Sequence, residues 1–292
     1  MLTIDSLSKT YANGVKALDN VSLTIEPGMF GLLGPNGAGK SSLMRTIATL
    51  QQPDSGSLTF DGVNILTEPD KLRSRLGYLP QDFDVYPRTS AYDLLDHMAI
   101  LKGIENKNDR KESVEGLLAQ TNLWEARSKA VSTFSGGMRQ RFGIAQALLG
   151  DPSLIIVDEP TAGLDPEERN RFHNLLADIG ESKIVLLSTH IVDDVEELCS
   201  NMAVLAQGSI QLKGKPQDVV ETLKGTIWRK IINKDELEAH KSEFNIISTR
   251  LMAGRTVIHV MAENQPDASF ESLTPDLEDV YFSTLFNLRN VA

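Results

Sequence analysis

Apolar residues fall into two alternating patterns over about the first 220 positions of this chain. Short unbroken runs at 29–33, 154–157 and 184–187 are typical of parallel strands that are buried on both faces. After the first run, apolar side chains recur at helical spacing, at Leu43, Met44, Ile47 and Leu50. The alternation of strand and helix patterns predicts an α/β fold built around a central sheet.

Two segments of this part depart from the alternation. Residues 2–26 alternate apolar and polar on both sides of a turn at Asn13-Gly14, which predicts an antiparallel sheet at one edge. From about 88 to 149 the β-branched runs vanish while helical spacing continues. We therefore expect an inserted lobe that consists only of helices.

The C-terminal part has its own pattern. From about residue 226 onward it predicts a strand, a polar helix, a hairpin and a last helix from about 276 to 288. We therefore expect one main domain over residues 1–220 and a small α+β accessory region over residues 221–292.

Composition narrows the class of protein. The chain has 292 residues, of which 41% are hydrophobic and 24% charged, and its net charge of −11 argues against a nucleic-acid binder held by phosphate contacts. The single cysteine, Cys199, fits a reducing compartment. The first residues are acidic and alternate apolar and polar, so we do not expect them to form a secretory signal. No apolar run approaches the ~20 residues of a membrane helix. We expect the chain itself to be soluble and cytoplasmic.

A glycine-rich stretch between the first apolar run and its helix has the spacing G-x-x-x-x-G-K-S. Glycines let successive backbone N–H groups point into one concavity, where they can bind an anion. We expect Lys40 to reach the β- and γ-phosphates of a nucleotide and the Ser41 hydroxyl to bind Mg²⁺. A glycine-rich turn that only opens a helix would not require this lysine and serine. The predicted phosphate-binding residues are Gly34, Pro35, Asn36, Gly37, Ala38, Gly39, Lys40, Ser41 and Ser42.

Two carboxylates and a histidine follow the later apolar runs. Asp158 and Glu159 come after one run and His190 after the other, where ligands bind in open parallel sheets. We expect Asp158 to hold Mg²⁺ through its hydration shell and Glu159 to orient and polarise a water. His190 is expected to contact the γ-phosphate. The structural alternatives are an acidic strand-to-turn junction and a surface histidine.

A second anion site is indicated far along the chain. Ser135 is a suitable N-cap, and the two glycines of Ser135-Gly136-Gly137 leave N–H groups exposed at a helix start. By itself this stretch would be interpreted as a capped helix with a flexible lead. Asp165 is placed to cap the helix that follows it. Tyr11 could stack on adenine or be an ordinary strand tyrosine.

The order and spacing of these motifs resemble the ATP-binding subunits of ATP-binding cassette (ABC) transporters, over residues 1 to about 220. The motifs in chain order are the phosphate loop, Gln81 after a short strand, Ser135-Gly136-Gly137, Asp158-Glu159, Gly163-Leu164-Asp165 and His190. The resemblance implies a P-loop NTPase of ABC type, with ATP and Mg²⁺ as its cofactors. Phe134 and Met138 are modest departures at positions that vary in the family.

The resemblance also implies a role for each motif. Tyr11 would stack on adenine, Gln81 would join the lobes and contact Mg²⁺, and Ser135-Gly136-Gly137 would be the signature sequence. Asp165 would lie at a subunit interface, because the phosphate loop of one subunit and the signature of the other close on one ATP in a homodimer. The predicted catalytic residues are Glu159, His190 and Gln81, and the predicted Mg²⁺ ligands are Ser41, Gln81 and Asp158.

A separate membrane permease is the partner that the resemblance implies. Its short helices would dock on the helical lobe and on Gln81 to Arg88, where Phe83 and Tyr86 are expected to be exposed. The chain would then lie at the cytoplasmic face of the inner membrane. The stretch from Leu273 to Tyr281 resembles the tail of the bacterial branch that exports drugs, antibiotics and cell-envelope molecules. A dimer-stabilising appendage without a role in transport is the alternative.

Importer cassettes, soluble ABC ATPases and GTPases share some of these sequence features. An importer cassette is the closest alternative, and a heterodimer with a degenerate partner would leave one competent site. Soluble ABC ATPases carry long coiled coils, zinc-bearing insertions or two cassettes, and this sequence has none of these. Asn106-Lys107-Asn108-Asp109 matches the letters of a GTPase motif, but it lies in a polar link between predicted helices.

Overall fold

The computed structural model describes residues 1–81, 83, 87–161 and 164–291, the last three by their backbone alone. The chain divides into two compact units, Met1–Ser200 with Leu205–Ile210, and Asn201–Val204 with Gln211–Ala292. The strands are β1 (Leu2–Thr10), β2 (Lys16–Ile25), β3 (Gly28–Leu33), β4 (Ser55–Phe60), β5 (Val63–Asn64), β6 (Leu76–Leu79), β7 (Leu154–Asp158), β8 (Ile184–Thr189), β9 (Asn201–Ala206), β10 (Ser209–Gly214), β11 (Ile227–Ile232), β12 (Ile246–Met252), β13 (Arg255–Met261) and β14 (Glu271–Ser272). The α-helices are α1 (Lys40–Ile47), α2 (Pro69–Arg73), α3 (Ala91–Leu101), α4 (Lys107–Gln120), α5 (Gly136–Leu148), α6 (Pro166–Gly180), α7 (Val192–Leu198), α8 (Pro216–Glu221), α9 (Leu237–Glu243) and α10 (Leu277–Val291).

The N-terminal strands form the predicted antiparallel sheet, in the order β2-β1-β4-β5. Leu2 of β1 pairs with Ile25 of β2 and with Phe60 of β4, and all three side chains are buried. Since side chains alternate between the two faces of a strand, this register places the apolar residues on one face. The alternating sequence pattern therefore predicted this sheet correctly.

The second sheet has six strands in the order β10-β9-β3-β8-β7-β6, of which β3, β8, β7 and β6 run parallel. Every residue of β7 and β8 is buried, as the unbroken apolar runs predicted. Leu186 of β8 lies opposite Phe30 of β3 and Ile156 of β7, which gives the register of the three parallel strands. Their carboxyl ends consequently meet at one edge of the sheet, together with the residues that follow each strand.

The segment from 88 to 149 forms a lobe of helices, as predicted. Its core is a cluster of buried side chains from α3, α4 and α5, with Leu95, Leu118 and Phe142 at its centre. Phe83 is partly buried and packs against this cluster, so the expectation that Phe83 is exposed was wrong. Its ring lies against Gly143, where an added Cβ would come within 2.9 Å of the ring. Tyr86, the other residue expected to be exposed, lies outside the described residues.

The C-terminal elements form a four-stranded sheet in the order β12-β13-β11-β14, with α9 and α10. The hairpin turns at Ala253 and Gly254, as predicted, and both residues have positive φ angles. In α10, Leu277, Val280 and Tyr281 are buried, and the carboxylate of Asp279 lies 2.7 Å from Nδ1 of the buried His259. The described residues of the tail motif therefore hold this unit together, which favours a structural role for them.

No helix of the described part of the chain combines the length and the apolar character that a membrane span needs.

Candidate functional site

The loop between β3 and α1 has the backbone that the glycine spacing predicted. Gly37 and Gly39 have φ angles of 80° and 107°, which residues with a side chain rarely adopt. A Cβ at Gly34 would lie 2.3 Å from the carbonyl oxygen of Leu205, so the position has no room for one. The loop ends at Lys40, the first residue of α1, where free backbone N–H groups favour an anion.

Lys40 is buried at the base of this loop. Its Nζ donates to the carbonyl oxygen of Gly34 at 2.6 Å and lies 3.3 Å from Oε1 of Glu159. The side chains of Lys40 and Glu159 are only 6% and 8% exposed, so this ion pair is shielded from solvent. The lysine is therefore held beside the carboxylate that follows β7, a contact that sequence spacing did not predict.

Glu159 and His190 meet across the ends of β7 and β8. The backbone of Glu159 has a positive φ of 51°, and its N–H donates to the carbonyl oxygen of Ser188 at 2.8 Å. Nδ1 of His190 lies 2.5 Å from Oε2 of Glu159. Since a carboxylate only accepts, Nδ1 carries the proton in this bond. The side chain of His190 is half exposed, and its Nε2 is left to contact a ligand.

Asp158 ends β7 directly beside this pair and is almost fully buried. Burial raises the pKa of its carboxyl group, and the Ser188 hydroxyl opposes this rise. The charge of Glu159 raises the pKa further, while Lys40 and Ser41 lower it. Within the described part of the chain, its buried Oδ1 has no hydrogen-bond partner. A buried carboxylate oxygen without a donor, next to a serine hydroxyl, fits the oxygen ligands that Mg²⁺ prefers. Ser41 and Asp158 would hold the ion.

Lys40, Glu159 and His190 line one cleft of about 340 Å³. Gln81 reaches the cleft from the end of β6, and Tyr11 from the end of β1, where its hydroxyl is 3.0 Å from Oγ of Ser42. The structure thus brings together most of the residues that the sequence predicted for one nucleotide site. The cleft is lined by Tyr11, Val15, Ala17, Pro35, Asn36, Gly37, Ala38, Gly39, Lys40, Ser41, Ser42, Gln81, Glu159 and His190.

The signature stretch does not line this cleft. The Ser135 hydroxyl caps α5 by accepting from the Met138 N–H at 3.2 Å, as predicted. A Cβ at Gly136 would meet nothing within 4 Å, so this glycine faces open space. Asp165 caps α6 through the N–H of Glu168 at 2.9 Å, also as predicted. Gly163, the first residue of the predicted motif Gly163-Leu164-Asp165, lies outside the described residues.

Sequence reasoning missed a buried polar network directly behind the cleft. It consists of Thr161, Thr189, Asp194, Arg169 and His173, which come from two strand ends and two helices. Asp194 lies in a run of acidic residues on α7, and such a run usually indicates a helix face that is exposed to solvent. Sequence spacing cannot tell which acidic residue of such a run turns inward, because neighbouring elements decide it.

Asp158→Asn is expected to stabilise the chain when nucleotide and metal are absent, and to abolish Mg²⁺-dependent hydrolysis. The raised pKa means that the folded state disfavours the charged carboxylate, so removing the charge should raise the free energy of unfolding and with it the Tm. Thermal melts in EDTA would measure this. The difference should be largest at neutral pH and shrink as the pH falls, because acid also neutralises Asp158. The exposed Asp178→Asn is the control, and an unchanged or lower Tm of Asp158→Asn would contradict the assignment.

The sequence and fold of this chain are similar to those of known proteins. A family model described as ABC transporter matches residues 18–162. The Nod factor export ATP-binding protein I of Cupriavidus metallidurans is 34% identical over 269 residues, which cover 91% of this chain and 88% of that protein. The methionine import ATP-binding protein MetN of Bordetella avium is 34% identical over 279 residues, which cover 92% and 75%.

A solved structure of a dimeric protein is also similar to this chain. It is a dimeric ATP-binding cassette in a post-hydrolysis state bound to ADP and Pi, with 27% identity and a TM-score of 0.68. The match covers 74% of this chain and 98% of that one. Because one of the two relatives is named for export and the other for import at equal identity, likeness of sequence leaves the direction of transport open.

Proposed function

The chain belongs to the family of ABC transporter ATP-binding proteins and is an ATPase, and from this premise we propose that it powers export through a separate membrane permease. Residues 1–220 would be the cassette and residues 221–292 an accessory region. The observation that carries the proposal is the cleft in which the phosphate loop and the Glu159–His190 pair meet, with the buried Asp158 beside Ser41. Peripheral attachment to the cytoplasmic face of the membrane follows from docking on the permease.

The side chains of the cleft divide the work of hydrolysis. The phosphate loop and Lys40 bind and orient the phosphates, and Tyr11 stacks on the adenine. Mg²⁺, when bound by Ser41, Asp158 and Gln81, neutralises phosphate charge. Glu159 accepts a proton from the attacking water, and His190 holds Glu159 in place through Nδ1 while Nε2 faces the γ-phosphate.

A second copy of the chain completes the site. None of the described residues that line the cleft comes from 135–137, yet the N–H groups of that stretch lie at a helix start and Gly136 faces open space. An anion needs such donors, and a two-fold dimer would bring them from the other subunit. We propose two identical composite sites, which ATP closes and hydrolysis opens.

A cleft between the sheet and the helical lobe is the proposed permease site. It has a volume of about 390 Å³ and is mostly apolar, with the exposed side chains of Leu50 and Leu101 at its rim. Lys102 is one of the lining residues, and its ammonium donates to the carbonyl oxygen of Leu76 at 2.7 Å. Partial burial lowers the pKa of this ammonium. A short amphipathic helix with a carboxylate beside its apolar face would complement this surface.

Leu101→Asp is expected to reduce recovery of the permease at least tenfold when the tagged chain is purified gently from membranes of its host. A charge in an apolar interface costs desolvation energy that the partner cannot offset. Leu251→Asp is the matched control, since Leu101 and Leu251 are 74% and 72% exposed and Leu251 lies on the C-terminal hairpin. ATP affinity should be unchanged in both variants.

Two outcomes would overturn the docking and transport proposals separately. If Leu101→Asp retains the permease, the site lies elsewhere. If the unaltered chain is recovered only from the soluble fraction, or with ribosomes or DNA-repair proteins, the transport assignment fails while the ATPase stands.

Direction is tested in inverted membrane vesicles, in which the cassettes face the medium. Export predicts that ATP drives compounds of a host extract into the vesicles, and that Glu159→Gln abolishes this accumulation. ATP-driven release of preloaded compounds would instead mean import, the direction in the name of the methionine relative.

A further inference from the structure

We propose that Asp194 is a positioning residue that sets the distance between Glu159 and His190 by fixing the backbone next to each of them. The inference rests on the catalytic roles proposed above. Asp194 itself lies on α7, faces away from solvent with no exposed surface, and is not among the residues that line the nucleotide cleft. It acts through two threonines.

One carboxylate oxygen of Asp194 holds both strand ends. Oδ2 accepts from the hydroxyl of Thr161 at 2.5 Å and from the hydroxyl of Thr189 at 3.3 Å. Thr161 comes two residues after Glu159, and Thr189 comes directly before His190. A single atom thus ties together the two segments that carry the catalytic pair.

The backbone around His190 is held on both sides. The Thr189 hydroxyl donates to Asp194 and also accepts from the N–H of Ile191 at 3.0 Å. The turn that presents His190 is therefore closed by a side chain, while the His190 side chain itself is half exposed and bonded to Glu159. Loss of the threonine hydroxyl would free this turn without removing any group that touches the nucleotide.

The other carboxylate oxygen of Asp194, Oδ1, contacts two basic side chains. Oδ1 of Asp194 accepts from Nε of Arg169 at 3.0 Å and lies 2.9 Å from Nε2 of His173, both on α6. His173 also contacts Glu197 through Nδ1 at 2.7 Å. Buried charge is tolerated when it is paired and hydrogen bonded. The network anchors α6, α7 and both strand ends to one another, which makes the spacing of Glu159 and His190 a property of this network.

Thr161→Val and Thr189→Val test the proposal with little change of side-chain volume. Each should lower kcat about tenfold and leave KM for ATP within about twofold, since small misplacements of catalytic groups cost rate and not binding. Thr161→Ser should restore the rate, and Asp194→Asn should lower kcat further. The assay uses the full-length chain at concentrations that support its dimer. Thr121→Val is the control, because Thr121 is a buried threonine of the helical lobe whose hydroxyl donates to the carbonyl oxygen of Leu117 in α4.

A spectroscopic readout separates positioning from general stability. In the ¹⁵N-histidine-labelled chain, Thr189→Val and Asp194→Asn should shift the ring resonances of His190, whereas Thr121→Val should not. The proposal is overturned if both valine variants keep the wild-type kcat, or if all three threonine variants lose rate in proportion to their loss of Tm. Normal hydrolysis by Glu159→Gln would defeat the proposed function instead, so the two failures are distinguishable.

Discussion

Glu159→Gln is expected to bind ATP and to lose steady-state hydrolysis by a factor of about 10²–10⁴, the usual contribution of a general base. The amide cannot accept the proton of the attacking water, yet it has nearly the shape of the carboxylate. Its oxygen can still accept from Nδ1 of His190, so the pair should stay in place. ATP hydrolysis by coupled assay and ATP binding by calorimetry measure the two effects.

The same variant should accumulate as an ATP-bound dimer. If hydrolysis is what releases the composite site, blocking it leaves the closed form populated, and light scattering should find a dimer with ATP and a monomer without it. Glu181→Gln, an exposed glutamate after α6, is the matched control and should hydrolyse ATP normally. Near-normal turnover by Glu159→Gln would move the water-activating role to another residue.

Lys40→Ala is expected to weaken ATP binding about 10- to 100-fold, because a charge-assisted bond to phosphate is worth about 1.5–3 kcal/mol. It should also destabilise the nucleotide-free chain. Lys40 and Glu159 form a buried ion pair at 3.3 Å, and removal of one member leaves the other without its partner in a site shielded from solvent.

A double variant separates the two effects of Lys40. Lys40→Ala combined with Glu159→Gln should regain most of the lost Tm, since neither buried charge remains, but it should not regain ATP affinity. Lys111→Ala, an exposed lysine on α4, should change neither property. Unchanged ATP affinity in Lys40→Ala would contradict its assignment to the phosphates. Equal Tm of the single and double variants would show that the ion pair adds no stability.

Much of the fold could be predicted because its signals are local. Buried parallel strands at 154–157 and 184–187 need unbroken apolar runs, and the phosphate loop needs its glycines, so both are written in a few neighbouring residues. The same holds for the capping of α5 by Ser135 and of α6 by Asp165. Phe83 was wrongly expected to be exposed, because a polar surrounding sequence does not reveal the lobe that covers it.

The sequence by itself determined which elements form and which residues follow each parallel strand, and with them the side chains that we propose for the nucleotide site. Only the tertiary structure decided which distant groups touch. Lys40 contacts Glu159, and Asp194 contacts Thr161 and Thr189. These contacts join segments that are far apart in the sequence, and the local pattern of apolar and polar residues does not predict them. The residues next to a carboxylate in the sequence do not reveal which group it will contact in the folded chain. Its partner is fixed by how β7, β8, α6 and α7 pack, because hydrogen bonds and buried charges must be satisfied wherever packing excludes water.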